Sequence, residues 1–312
     1  MPEPQSGQFP PAVSAPVQYG PNLQALAVYL HQGQLLPTAR TCQALAPVVK
    51  RIGELIAASR LQDGDETGIR IYGVLHWLHV NCTRWLTHLA WHPSHGREAM
   101  DEIGIWPVFE GRGMHDRFAS YDGYDCAHSI CGAHLLRDCL AIAQQPQQDW
   151  AQQMHDFLLD LHEACQHWRG LHLSAVPSIE RDDWVARYFE ILALGYAAQG
   201  PPAAATTGKR KGKAKQSPAR NLLDALLSRA EQVLALLDDL SIPFTNNQAE
   251  RDRSLAKVQQ KISGTFRSAT GATAFCHIRS YLSTMHKQGH SMLSALTAVF
   301  HGHPFSVAWS PE

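Results

Sequence analysis

No run of apolar residues in this chain reaches the length of a membrane span, which needs about 20 consecutive apolar residues. The opening residues Met1-Pro2-Glu3-Pro4 lack the basic-then-apolar order of a secretory signal. Cysteine is sparse and odd in number, seven in 312 residues without framework-like spacing. That argues against a disulfide scaffold and for reduced thiols in a cytoplasmic protein. No internal repeat is visible, so a solenoid is excluded. Neither sign of charge is in excess, the formal net charge being −1, which argues against binding a polyanion through total charge. What is present is 45% hydrophobic residues, enough for one sizeable core and a smaller subdomain.

The small net charge hides an asymmetry. Residues 1–206 hold 13 Lys and Arg against 21 Asp and Glu, whereas residues 207–287 hold 14 against 6. Phosphate backbones are bound by local basic patches, so nucleic acid is expected at the second segment. Its run Lys209-Arg210-Lys211-Gly212-Lys213-Ala214-Lys215 reads either as a solvated loop of like charges or as a salt-sensitive grip on phosphates.

Within that segment, Pro243-Phe244-Thr245-Asn246-Asn247-Gln248-Ala249-Glu250-Arg251 puts one carboxylate at the start of a helix dense in Arg and Lys. Asn246 or Asn247 can cap the helix, and an acid is electrostatically favoured in its first turn. The cations that follow are Arg251, Arg253, Lys257 and Lys261, with Arg267 beyond the helix. At about 100° per residue, Glu250, Arg253, Lys257 and Lys261 share one face, and Leu255, Val258 and Ile262 form an apolar stripe on another. An amphipathic surface helix with a solvated charged face fits the same pattern.

Two further acids stand out. Asp65 precedes the alternating run Val74-Leu75-His76-Trp77-Leu78-His79-Val80, which reads as a strand after a turn at Gly73. Asp116 falls where a short strand ends before a loop. Three such carboxylates can converge on hard divalent cations, which take oxygen ligands and need few from the protein when phosphate supplies the rest. Each acid taken singly also reads as a capping or surface group, and Asp63, Glu66 and Asp122 are the nearest substitutes. Cys126, His128, Cys131 and His134 could in principle form a tetrahedral zinc site. Four ligands within nine residues, partly on a strand whose side chains alternate between faces, speak against it.

For organisation, residues 1–18 with five prolines read as an extended or disordered arm. Residues 19–60 read as helical, interrupted at Pro47, and residues 61–145 as a strand-rich first part of a core ending in a helix from Ala133. Residues 146–220 read as a helical insertion ending in the basic loop, and residues 221–312 as the second part of the core with C-terminal amphipathic helices. The 134 residues from Asp116 to Glu250 exceed what a minimal core needs there. The insertion either braces the site or is a spacer with its own small core.

Taken in order, these blocks resemble the transposases of the insertion sequence 66 family, within the DDE superfamily. The carrying residues are Asp65-Glu66-Thr67-Gly68 with His76-Trp77-Leu78-His79-Val80, His115-Asp116 with Tyr121, Cys131-Gly132-Ala133-His134-Leu135-Leu136-Arg137-Asp138, Phe244 through Arg251, Lys257 through Ser268, and Arg279 through Thr284. The resemblance runs from about Tyr19 to the C-terminus. It implies an α/β ribonuclease-H-like fold, a mixed sheet flanked by helices with a helical insertion before the last catalytic acid. Asp65, Asp116 and Glu250 would be the catalytic, metal-binding acids, with Mg²⁺ as cofactor and Mn²⁺ able to substitute. The implied reaction is DNA cleavage by water followed by attack of the freed 3′-hydroxyl on target DNA. Arg251, Arg253, Lys257, Lys261, Arg267, Lys209, Arg210 and Lys211 would hold DNA. Cys131 and His134, as a Cys-x-x-His element, and Asn247 would support the acids without being ligands. Also implied are element ends and target DNA as partners, several copies assembling on DNA, accessory proteins of the same element, no membrane, and a nucleoid-associated cytoplasmic location. Family members carry a longer N-terminal region that reads element ends, which nothing before Tyr19 resembles, and the chain looks shortened near Pro47. Two other functions are therefore expected as rivals: a truncated copy that binds DNA and regulates transposition, and a ribonuclease-H-like nuclease that cuts without joining.

Overall fold

The structure, a computed structural model, describes residues 38–199 and 216–309. The Pro-rich arm and the basic run with Lys209, Arg210 and Lys211 lie outside the described residues. A hairpin forms the centre of the sheet. β1 (Leu61–Ile71) and β2 (Val74–Cys82) are antiparallel and joined through Tyr72 and Gly73. Both turn residues have positive φ, 53° and 80°, the conformation whose twist matches that of the flanking strands. β3 (Thr87–His92) pairs antiparallel with β2. After α2 (Arg97–Ile103), the short strands β4 (Arg112–His115) and β5 (Ala127–Ile130) add in parallel on the other side of β1. The order β3-β2-β1-β4-β5 makes a five-stranded mixed sheet flanked by helices, an α/β arrangement consistent with a ribonuclease-H-like core.

The helices before and after the sheet pack on both sides of it. α1 (Thr38–Ala57) contains Pro47 without ending there, contrary to the interruption expected from the sequence. Pro47 and Gln43, four residues earlier, are both exposed, so the carbonyl that loses its amide partner can meet water. Meanwhile the opposite face buries Leu45, Val49, Ile52 and Ile56. α3 (Gly132–Ala143), α4 (Asp149–Gly170), α5 (Ser178–Ala198), α6 (Pro218–Ser228) and the short α7 (Ala230–Val233) and α8 (Ala235–Asp238) follow. They are not a spacer with a separate core. One buried cluster runs from Met114 and Ile130 on β4 and β5 through Leu135, Phe157, Tyr188 and Leu226 to Phe244.

α9 (Asn247–Ser263), α10 (Ala269–Lys287) and α11 (Met292–Phe300) complete the chain. Ile69, Ile71, Leu78 and Val80 of the central hairpin pack with Ala249 and Ala256 of α9 and Ala272 and Cys276 of α10. On its other face, β1 presents Gly64 to the rings of Trp106 and Tyr121. The apolar stripe expected on α9 is not the buried one: Val258 and Ile262 are exposed and Leu255 only half-buried. Small side chains seat the helix instead, because they let its backbone approach the strands, and the branched residues are left outward. Among the described residues, no helix is long and apolar enough to cross a membrane.

Candidate active site

Asp65 sits near the middle of β1, only 4% exposed. The β1–β4 register pairs Asp63 with Met114. Carried two residues further, the same offset sets Asp65 level with Asp116, which follows the last residue of β4. Adjacent strands lie about 4.8 Å apart. Asp116 is fixed by its surroundings: Oδ1 accepts the Phe118 amide at 2.8 Å, and its carbonyl pairs with Nδ1 of His115. His115 in turn stacks on Tyr121 at 4.3 Å and meets His128 Nδ1 at 3.0 Å.

Glu250 arrives from the first turn of α9, and its approach is fixed by the helical layer. Arg169, near the end of α4, donates to the carbonyls of Leu240 and Ile242. The Gly132 amide donates to the Phe244 carbonyl at 2.8 Å, and the Asn246 amide to Cys131 Sγ at 3.4 Å. A Cβ on Gly132 would stand 2.3 Å from the Phe244 ring, so this approach requires glycine. Asn246 occupies the N-cap position, yet its side chain makes no capping bond. It is fully buried and Nδ2 reaches the Gly64 carbonyl at 3.5 Å, joining the start of α9 to β1. Asn247, expected to support the acids, is exposed instead. The spacing of Ala249 and Ala256, which marks the packed face of α9, also distinguishes the two asparagines. Asn246 falls within about 80° of those alanines and Asn247, one residue on, on nearly the opposite side.

Asp65 feels the charges of the other two acids. Burial raises the Asp65 carboxyl to about 6, against the pull of Arg253 and of the Glu66 amide, and the carboxylates of Asp116 and Glu250 push it up further. Arg253 clamps both Asp65 oxygens, Nη1 to Oδ1 and Nε to Oδ2 at 3.1 Å each. Glu250 Oε1 lies 3.5 Å from Arg137 Nη2 and 3.7 Å from His134 Nδ1. Asp65 Oδ2 is met by Arg253, and Glu250 Oε1 by Arg137 and His134 at ion-pair distance; neither buried oxygen has a further hydrogen-bond partner, so each keeps a lone pair for a cation. Unprotonated carboxylate oxygens in a shared negative field are the donors that Mg²⁺ prefers, and the residues fit such an ion.

Of the substitutes, Asp63 and Asp122 are committed elsewhere, whereas Glu66 lies in the field of Asp116 and Asp65. Asp63, raised to about 7 by burial, faces Lys287 and Asp252. Glu66, raised to about 8 by burial, is hydrogen-bonded by Tyr121, and Asp122 pairs with Arg229 through both oxygens. Of the cations expected to hold DNA, Arg251, Lys257, Lys261 and Arg267 are exposed, Lys257 also donating to the Gly68 carbonyl. Arg253 is not a free phosphate ligand, because Asp65 holds it. Arg137, half of the ion pair at Glu250, carried no signal beyond its place in the Cys-x-x-His block.

The four-residue zinc arrangement does not form. His128 turns to His115 and to Cys126 Sγ, the latter at 3.8 Å. Among the described residues, the group of three or more Cys, His and acid donors near enough to share one ion is Cys131, His134 and Glu250, with ligand atoms within 4.8 Å of one another. Asp65 and Asp116 lie outside that group.

The sequence matches the family model described as Transposase IS66 family over residues 36–274. None of the curated proteins and none of the solved structures matches it. The matched region spans β1 to β5, Asp65, Asp116 and the whole of α9, and with it the chain belongs to the IS66 family of transposases.

Proposed function

We propose that this chain cleaves DNA and joins the freed end to a target by metal-dependent phosphoryl transfer, with Asp65, Asp116 and Glu250 as its metal-binding acids. The observation that supports it most is the buried Asp65, set level with Asp116 by the β1–β4 register; its carboxyl is raised chiefly by burial and in smaller part by the charges of Asp116 and Glu250, 51 and 185 positions away in the sequence. Mg²⁺ is the proposed cofactor, with Mn²⁺ able to substitute. When bound, such ions supply an activated oxygen nucleophile and a stabilised leaving oxygen in an in-line displacement.

The protein's own residues do the rest. Arg253 neutralises Asp65 until a cation takes its place, and its guanidinium is then free to turn to a phosphate oxygen. Arg137 plays the same part for Glu250. Arg251, Lys261 and Arg267, exposed around α9, hold the backbone phosphates that carry no base identity. Lys209, Arg210 and Lys211 extend the same positive charge along the sequence. Cys131 and Asn246 fix the start of α9, so that Glu250 projects at Asp65 instead of sampling rotamers in water.

Calorimetric titration of Mg²⁺ into the unmodified chain and into Asp65→Asn tests the site without requiring catalysis. Binding should be present in the first and at least tenfold weaker in the second; equal binding would remove Asp65 from the site. A joining assay with pre-cut ends then separates the functions. Joined product supports a transposase, cleavage without joining a nuclease, and DNA binding without either a regulatory remnant.

A further inference from the structure

We infer that Cys131, His134 and Glu250 form a second metal site, for a borderline-soft transition ion of the Zn²⁺ class, and that filling it withdraws Glu250 from the other two acids. The site stands on geometry independent of the proposed phosphoryl transfer; only its inhibitory consequence rests on that reading.

One thiol, one imidazole nitrogen and one carboxylate oxygen lie within 4.8 Å of one another. This donor set suits Zn²⁺, which takes Cys sulfur at about 2.3 Å and His nitrogen or carboxylate oxygen at about 2.0–2.2 Å. Those bond lengths put tetrahedral ligand atoms about 3.3–3.8 Å apart. His134 Nδ1 and Glu250 Oε1, at 3.7 Å, are already close to that separation, and bringing the sulfur in from within 4.8 Å takes a contraction of about 1 Å at most. Both atoms are buried and without a hydrogen-bond partner.

The scaffold holds the donors from rigid elements. Cys131 caps α3 and His134 lies in its first turn, three residues on and hence on the same side. Glu250 is delivered by α9. The Asn246 amide, pointing at Cys131 Sγ at 3.4 Å, is placed to support a thiolate, as outer partners of metal ligands do. Cys131 is fully buried at the floor, while the side chains of His134 and Glu250 are 23% and 26% exposed, which leaves an opening from solvent. Three protein ligands leave a fourth position for water. Binding releases one proton, from the Cys131 thiol to solvent, and breaks the Arg137–Glu250 ion pair; no electron changes hands. Mg²⁺ does not occupy this set, because a hard cation gains little from sulfur, and competes with it only through the shared Glu250.

Co²⁺ serves as the spectroscopic probe, since thiolate ligation gives an intense near-ultraviolet charge-transfer band that oxygen ligation does not. Titrated into the full chain without Mg²⁺, Co²⁺ should produce the band with a stoichiometry of one per chain, and Zn²⁺ should abolish it. Cys131→Ser should lose the band, and His134→Ala should bind Co²⁺ at least tenfold more weakly, with far-ultraviolet circular dichroism confirming that each is folded. No band in the unmodified chain, a band retained in folded Cys131→Ser, or unchanged affinity in His134→Ala would each overturn the site. Should Cys131→Ser not fold, the His134→Ala titration decides alone. In a chain that cleaves DNA, one equivalent of Zn²⁺ should lower the Mg²⁺-dependent rate; absence of all cleavage would count against the phosphoryl-transfer reading and leave the Co²⁺ result standing.

Discussion

Arg253 decides how readily Asp65 ionises. Burial and two neighbouring acids favour the protonated carboxyl, and the Arg253 clamp is the largest influence opposing them. Arg253→Gln keeps length and polarity but removes the charge, so the Asp65 carboxyl should move above its present value of about 6. An opposite charge at this distance is worth about 1–3 pH units in a carboxyl. If metal binding needs ionised Asp65, the acid limb of the cleavage profile should shift upward by about one unit or more. An unmoved limb would show that the clamp does not set this ionisation. Gly132 makes a second prediction at this scale. Gly132→Ala forces a methyl against the Phe244 ring, and overpacking of that kind costs about 1–3 kcal/mol. Thermal unfolding should show that loss; an unchanged melting temperature would mean that Phe244 can move aside freely.

Among the elements, what the sequence revealed depended on whether side chains or backbone did the packing. β2 and the turn before it were legible because Val74 to Val80 alternate and Gly73 supplies a turn. The end of β4 just before Asp116 was read from the loop that follows the acid, since β4 itself, Arg112–His115, carries no apolar alternation. α9 was legible as a helix but not in its orientation. Its Leu255, Val258 and Ile262 suggested the buried stripe, whereas Ala249 and Ala256 seat it, because close approach to strands favours small residues over bulky ones. Pro47 misled in the same way, as a local cost that the buried face of α1 overrides. The Arg253–Asp65 clamp could not be read at all, since it joins residues 188 positions apart. With that orientation, Lys261 and Arg267 lie exposed, free of Asp65. Replacing both by Ala should weaken DNA binding on every sequence and flatten the salt dependence by roughly 0.9 per lost phosphate contact. A filter-binding titration across salt concentrations reads both, and a slope equal to that of the unmodified chain would place the DNA elsewhere.

For the molecule as a whole, the buried acids make stability depend on pH in a direction opposite to the usual one. Burial holds Asp65, Asp63 and Glu66 protonated up to about 6, 7 and 8, against unfolded values of about 4. A raised carboxyl favours folding fully below its unfolded value and loses that contribution as pH rises through its folded one. His79, His88 and His115, depressed to about 4 by burial, act the other way. Their contribution is complete above the unfolded value of about 6.5 and is lost as pH falls toward 4. The two sets offset each other in mild acid, and above about pH 6.5 Asp63 and Glu66 are the members of these sets that still change. The metal-free chain should therefore lose stability toward pH 8, and the gain in melting temperature from Mg²⁺, which favours ionised acids, should grow over the same interval. A Mg²⁺ effect that stays flat or shrinks with rising pH would count against carboxylate ligation.

The most direct test of the central claim is Mg²⁺-dependent cleavage of a plasmid carrying the element's own ends, compared between the unmodified chain and Glu250→Gln. That substitution keeps size and helix propensity while removing one negative charge. Cleavage should fall at least about 100-fold, an effect of the order seen when one group stabilising transition-state charge is removed, while DNA binding is kept or tightened by the loss of a repulsive charge near phosphate. Cleavage that persists undiminished in Glu250→Gln, or an unmodified chain that binds the ends and never cuts them, would contradict the account.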